Sequence, residues 1–554
     1  MLTTVVRLAF THLVTKAFTS NTAKMIKQMC VLFLLMAVLE FGRADDLFHR
    51  APKTQKSRGR TDLGITSVKD RYTPIEEMDA SYWLNQAQAE LLKKVNREQY
   101  WNKAKNVIFF IGDGMSLPTV TASRILKGQR LGNPGEESNL AVDKMPYSGL
   151  SKTYCTNSQT ADSACTSTAY MCGVKTNIYM IGVNGHVEYN NCSASADERN
   201  HLESIITWAQ NAGKATGIVT TTTVTHASPS GGYAHVANRF WENDAEIVKS
   251  AANPSQGCKD IAIQLIRDAP GRNIDVILGG GSKHFLPHNV KDEFNENGTR
   301  LDGNNLIEEW KTNNPDGVYI TTRDELLALN TTNPKRVFGT FNNGDLEFHL
   351  DAAEKRPTQP RLKEMTVQAI SMLQENPNGY FVFIEGGRID HGHHWTIAEY
   401  ALDETLELDE AIQSALDMTD ERETLIVVTS DHSHTMSIAG YPGRGNPILD
   451  VNPYDVDLDD TPYNTLNYAV GREQYLLKDG KREDLTGKMT PLSFTPSYIK
   501  AFAGTHAGDD VAIFASGPQS QLFTGVMEQN QIPHLMAYGA NMEHKEQKLT
   551  TSTL

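Results

Sequence analysis

From Asn106 onward the chain repeats one pattern, short uninterrupted apolar runs separated by longer stretches of helix-forming composition. The runs are residues 107–111 (VIFFI), 217–220 (GIVT), 275–278 (DVIL), 380–384 (YFVFI), 425–428 (LIVV) and 511–514 (VAIF). A strand with one wet face alternates apolar and polar side chains, whereas continuous runs suit strands covered on both faces. Residues 398–417 predict a helix of crossover length. The pattern predicts an α/β fold with a central, mostly parallel sheet flanked by helices. Residues 439–500 break the rhythm with Pro442, Gly443, Gly445, Pro447, Pro453 and Pro462, and read as an inserted, loop-rich subdomain. Within it, the alternation of acids and apolar residues at 455–460 reads as a strand with a solvated face rather than a cation loop. Upstream, residues 81–95 predict a helix whose stripe of Trp83, Ala87 and Leu91 is expected to pack into the core.

The ends of the chain read differently. Residues 31–39 are nine apolar residues, against about 20 needed to span a bilayer. Lys24 and Lys27 precede them and Gly42-Arg43-Ala44 follows, the three-part form of a secretory signal. Residues 1–44 are therefore expected to be an N-terminal extension and signal, with Met1 or Met25 as the start. Residues 45–72 read as a polar, flexible tether and 541–554 as a polar tail. The 554 residues carry 52 basic and 67 acidic side chains, a balance of −15 with no basic block, which argues against nucleic-acid binding. Beyond Cys30 in the signal, five cysteines remain: Cys155, Cys165, Cys172, Cys192 and Cys258. An odd number leaves at least one thiol unpaired within the chain. Asn191, Asn297 and Asn330 open N-x-S/T sites, candidate glycan acceptors in a secreted chain.

Three of the apolar runs end in acids. Residues 107–111 lead into Gly112-Asp113-Gly114, 380–384 into Glu385-Gly386-Gly387, and 425–430 into Asp431-His432. The carboxyl ends of parallel strands are where open α/β sheets place ligands. Asp390-His391-Gly392-His393-His394 sets a carboxylate and an imidazole one helical turn apart, Asp431-His432-Ser433-His434 supplies a second pair, and Thr505-His506-Ala507-Gly508 a further imidazole. Mixed Asp and His ligation selects zinc or a similar metal over calcium. Asp162-Ser163-Ala164 stands before a helix-forming run, 164–171. Ser163 reads there as an N-cap, or as a nucleophile if a divalent metal touches it. Arg239 is a candidate phosphate clamp.

These motifs resemble those of the alkaline phosphatases, in their eukaryotic, secreted or membrane-tethered branch. The matching stretches are Phe110-Ile111-Gly112-Asp113-Gly114-Met115, Asp162-Ser163-Ala164 through Lys175, His226-Ala227-Ser228-Pro229, Glu385 through His394, Asp431 through His434, and Thr505 through Gly508. The resemblance implies a catalytic domain over 73–540, with 439–500 as a crown-like insertion. It implies one zinc held by Asp390, His394 and His506, and a second by Asp113, Asp431, His432 and the Ser163 oxygen. A magnesium would use Asp113, Ser228 and Glu385, with His226 behind them, and Arg239 would grip the phosphate. The implied activity is broad hydrolysis of small phosphate monoesters through a phosphoserine on Ser163, in a homodimer with the N-terminal helix and the insertion near its twofold axis. It also implies a Cys192–Cys258 disulfide, leaving Cys155, Cys165 and Cys172 as thiols. Three places depart from the family pattern. Asn342 and Gln359 stand where vertebrate relatives carry calcium-binding acids, Trp395 follows His394 where an acid is common, and the carboxyl end lacks an apolar tail for a lipid anchor. The expectation is a secreted or cell-surface enzyme with no transmembrane helix in the mature chain. Two other readings stay open on sequence: a phosphodiesterase or sulfatase on the same core, and a binding protein with a decayed site.

Overall fold

The computed structural model describes residues 74–542, apart from 251, 253–255, 333–334, 458–459 and 476. The expected signal, the tether and residues 543–554 of the tail lie outside the described residues. Ten strands form one sheet: β1 (Asn106–Gly112), β2 (Tyr147–Lys152), β3 (Ala215–Thr223), β4 (Val276–Gly280), β5 (Val318–Ile320), β6 (Val337–Thr340), β7 (Tyr380–Gly386), β8 (Thr424–Ser430), β9 (Val511–Ser516) and β10 (Gly525–Glu528). Their order is β10-β2-β9-β8-β1-β7-β3-β4-β6-β5. Only β9 runs antiparallel to its neighbours β2 and β8. The continuous apolar runs at the centre are buried on both faces. Val107, Phe109 and Ile111 enter one hydrophobic cluster, while Ile108 and Phe110 enter the other. Successive side chains on a strand point to opposite faces, so a run with no polar break must be covered twice.

The helices include α1 (Ala80–Val95), α2 (Leu117–Arg130), α3 (Ser163–Cys172), α4 (Leu362–Leu373), α5 (Arg388–Trp395) and α6 (Ala398–Met418). The buried faces of α4 and α6 close the second cluster through Met365, Ala369 and Ile370, and through Leu408, Ala411 and Ala415. Residues 439–500 contribute to small sheets. Leu466–Gly471 pairs with Met436–Ile438 and Ser497–Lys500, and Val451–Val456 with Pro462–Asn464.

Three expectations are corrected. The stripe on α1 does not enter the core of the protomer: none of its residues is buried, and Trp83, Leu84, Leu91 and Leu92 are 48, 69, 60 and 54% exposed. Helical periodicity reports an apolar face and not what covers it. Cys155 and Cys165 are not thiols but a disulfide, alongside Cys192–Cys258, and Cys172 is the free, buried cysteine among the described residues. The cap of α3 is Asp162 rather than Ser163, because its carboxylate accepts from the amides of both Ala164 and Cys165, leaving Ser163 as the first helical residue.

Candidate functional site

Register converts three distant acids into neighbours. In the β1–β7 pairing Ile111 lies opposite Glu385, and in the β1–β8 pairing Gly112 lies opposite Ser430. Asp113 and Asp431, the next residues on their strands, therefore leave the sheet side by side with Glu385. All three are fully buried. Asp431 Oδ1 accepts from the amides of Gly114 (2.9 Å) and His432 (2.8 Å), which fixes the carboxylate. Glu385 Oε2 accepts from the hydroxyls of Thr220 (2.5 Å) and Thr222 (3.3 Å), both supplied by β3. Ser228 Oγ donates to Asp113 Oδ2 at 3.5 Å.

The imidazoles arrive from two other directions. On α5, Asp390 and His394 are one turn apart, with His394 Nε2 3.2 Å from Asp390 Oδ2. The two-residue strands Ser433–His434 and His506–Ala507 pair antiparallel, which sets His506 opposite His434. His434 Nε2 reaches Asp390 Oδ1 at 2.5 Å, and His506 Nε2 lies 3.4 Å from the same oxygen. The tautomers follow from the outer nitrogens. His394 Nδ1 donates to the Gly504 carbonyl (2.6 Å) and His506 Nδ1 to that of Ala161 (2.8 Å). Their Nε2 lone pairs then face each other at 3.1 Å.

Ser163 joins the other side of this cluster. Its Oγ is 3.3 Å from His432 Nε2, which is itself 3.1 Å from Asp431 Oδ2 and 3.5 Å from Asp113 Oδ1. Arg239 is held at both ends, Nη1 on Asp162 Oδ2 (3.0 Å) and Nη2 on His226 Nε2 (3.1 Å). Asp162 therefore caps the helix that presents Ser163 and also aims the guanidinium.

The donor set fits divalent metals. Two imidazole lone pairs 3.1 Å apart beside a carboxylate repel one another unless a proton or a metal ion lies between them. Asp113 Oδ1, Glu385 Oε1, Asp431 Oδ2 and His226 Nδ1 are buried with no hydrogen-bond partner, an arrangement that costs several kcal/mol without a ligand. Burial first, and then the charges of Asp431, Asp390 and Glu385, push the Asp113 carboxyl well above its ordinary range. Burial likewise lifts Glu385 to about 7 against its hydroxyl donors, and Asp431 to about 6 against its amide donors. Within this region of the described residues, ligand-capable atoms converge in three groups: Asp390, His394, His434 and His506; Asp113, Asp390 and His432; and Asp113, His226 and Glu385.

All the residues that the sequence marks for metal and phosphate chemistry fall in this one region. His226, placed by the resemblance behind the magnesium ligands, stands as near to Asp113 and Glu385 as a ligand would. Four further residues, His434, Asp162, Thr220 and Thr222, carry functional contacts that sequence reasoning does not assign. For His434 the available signal is its alternation with His432 in Asp431-His432-Ser433-His434. At the place expected to lack calcium ligands, Asn342 donates to the Asp345 carbonyl, while Gln359 exchanges two hydrogen bonds with the Glu347 backbone. Of the glycan candidates, Asn297 and Asn330 are exposed, and Asn191 is half-buried as a helix cap.

A family profile described as alkaline phosphatase matches residues 104–542. The chain is 47% identical over 483 residues to the tissue-nonspecific alkaline phosphatase of Gallus gallus, covering 84% of this chain and 90% of that one. It is 42% identical over 508 residues to the membrane-bound alkaline phosphatase of Bombyx mori, covering 86% and 91%. Among solved structures, the alkaline phosphatase of Thermus thermophilus superposes with a TM-score of 0.58 at 22% identity, covering 81% of this chain and 94% of that one. The enzyme of the Antarctic bacterium TAB5 gives 0.54 at 22%, covering 80% and 100%. These two support the fold.

Proposed function

Since the chain belongs to the alkaline phosphatase family and is a metal-dependent phosphomonoesterase, we propose that it cleaves a broad range of phosphate monoesters through a phosphoserine on Ser163, at a site for two zinc ions and one magnesium ion. Asp390, His394 and His506 would hold one zinc, with His434 fixing Asp390. Asp113, Asp431, His432 and Ser163 Oγ would hold the second. Asp113, Ser228 and Glu385 would hold magnesium, with His226 alongside. Bound there, the metals supply Lewis-acid polarisation of phosphoryl oxygens and lower the pKa of hydroxyl groups and water.

The chain's own groups do the rest. Ser163 Oγ sits at the amino end of α3, where the helix field favours its anion, and attacks phosphorus as the ester P–O bond breaks. Arg239 aligns the non-reacting oxygens by paired hydrogen bonds, held in place by Asp162. Water then attacks the phosphoserine, releasing phosphate and restoring Ser163. The fit of the unshared Nε2 pair of His394 and His506 to a cation is the observation that carries this reading. It is tested by metal analysis together with p-nitrophenyl phosphate turnover of the wild type, Ser163→Ala and His394→Ala. Full turnover by Ser163→Ala would overturn the phosphoserine route.

The uncovered apolar side chains of α1 support a homodimer in which a second protomer shields them. Two disulfides and the N-x-T sites at Asn297 and Asn330 support passage through an oxidising, secretory compartment to the cell surface or beyond. Among the described residues no helix is long and apolar enough to cross a membrane.

A further inference from the structure

Beside the phosphate clamp three aromatic rings form a continuous exposed patch. Tyr179 is central, its ring 5.7 Å from that of Tyr189 and 6.2 Å from that of Phe240. The three are 37, 51 and 54% exposed. Phe240 follows Arg239 in sequence, and its ring centroid lies 5.8 Å from the Arg239 guanidinium carbon. The patch is tied to the catalytic groups by backbone. The Tyr179 amide donates to Asp162 Oδ1 at 2.9 Å, and the Tyr179 carbonyl accepts from the Arg239 amide at 2.9 Å. Asn238, almost wholly buried, binds the other two: its Nδ2 donates to Tyr189 Oη (3.2 Å) and its Oδ1 accepts from the Phe240 amide (2.9 Å).

Tyr179 holds its position in the left-handed region, at φ 69°. A bulky side chain there is strained, and glycine would adopt the same conformation freely. Strain of this kind persists where surrounding contacts hold the backbone in place, and it clusters at functional sites. Rigid rings with two rotatable bonds also make contact area at low entropic cost. We propose that Tyr179, Tyr189 and Phe240 form a stacking platform for the leaving group of a phosphate monoester held by Arg239, and that the enzyme favours substrates whose leaving group carries a planar aromatic ring, such as a nucleoside. This deepens the phosphomonoesterase reading and rests on it.

The test compares kcat/KM for adenosine 5′-monophosphate with that for methyl β-D-ribofuranoside 5-phosphate. Both are esters of the same primary alcohol position and differ in the presence of the base, so the intrinsic chemistry is matched. One base–ring stack corresponds to about a tenfold preference for the nucleotide in the wild type. In Phe240→Ala and in Tyr179→Gly the ratio is expected to fall towards one, and because both substrates are read on the same enzyme a loss of folded protein cancels from the ratio. A purely structural role would move both substrates together and leave the ratio alone. Equal kcat/KM for the two substrates in an active wild type, or a wild-type ratio in both variants, overturns the platform and leaves the phosphatase reading intact. A wild type that cleaves neither substrate overturns both.

Discussion

Replacing Asp162 by asparagine is expected to weaken phosphate binding and loosen the start of α3 together. The carboxylate is 5% exposed and takes four donors on two oxygens. Oδ1 accepts from Tyr179 N (2.9 Å) and Cys165 N (3.3 Å), and Oδ2 from Ala164 N (3.2 Å) and Arg239 Nη1 (3.0 Å). An asparagine has one acceptor oxygen. Directed at Tyr179 and Cys165, it turns its NH2 towards Ala164 N and Arg239, donor against donor. That arrangement loses one charge-assisted bond of about 1.5–3 kcal/mol and one amide bond of about 1 kcal/mol. The total, about 3 kcal/mol, corresponds to roughly a hundredfold in an equilibrium constant. The flipped amide spares Arg239 and instead releases the Tyr179 amide and one cap bond, worth about 2 kcal/mol of stability. Competitive inhibition by inorganic phosphate reads the first outcome as a Ki raised about tenfold to a hundredfold. Urea unfolding reads the second as a lower midpoint at constant slope. If Asp162→Asn leaves both the phosphate Ki and the urea midpoint at wild-type values, the role assigned to this carboxylate is wrong.

Two further predictions concern groups outside the reaction. Glu404 on α6 is buried, and burial lifts its carboxyl from 4.5 to about 8 despite the His349 amide that it accepts. The unfolded chain releases this proton first, so wild-type stability should fall as pH rises from about 4.5 to about 8 and stay low above that. Glu404→Gln should be more stable than wild type at about pH 9 by an amount on the order of 3–5 kcal/mol, with the advantage absent near pH 4. Urea midpoints for both proteins at the two pH values decide it, and an equal difference at both would contradict the assignment. Separately, peptide mapping of the unreduced protein should find Cys155 joined to Cys165 and Cys192 to Cys258. Cys172, whose thiol burial pushes up to about 12, should resist iodoacetamide until the chain is unfolded, and rapid labelling of the native protein would refute its burial.

The central strands and the convergent Asp and His motifs are legible in the sequence because their physics is local. A run such as VIFFI can be satisfied only by cover on both faces, and an acid directly after it can only emerge at the strand's end. The outer strands are not legible. β2 reads YSGLSK, with no apolar run, and is a strand because β9 and β10 flank it. β5 and β6 are three and four residues long, too short to show a period. The role of His434 depends on Asp390 arriving from another element, and the Cys155–Cys165 bond on how the loop before α3 folds back. Neither is encoded by spacing. The Trp83 stripe announces an apolar face but not its location, since intramolecular and intermolecular burial select the same side chains.

The late arrival of β9 and β10 has a consequence for biosynthesis. β2 is made early, yet its hydrogen-bonding partners both come from residues 511–528, and His506 emerges only just before them. A ribosome-bound polypeptide must therefore carry an unmatched strand through most of its translation, a state exposed to wrong pairing and served by chaperones. It also lacks His506 until then, so the cluster of Asp390, His394, His434 and His506 cannot assemble before that segment has been made.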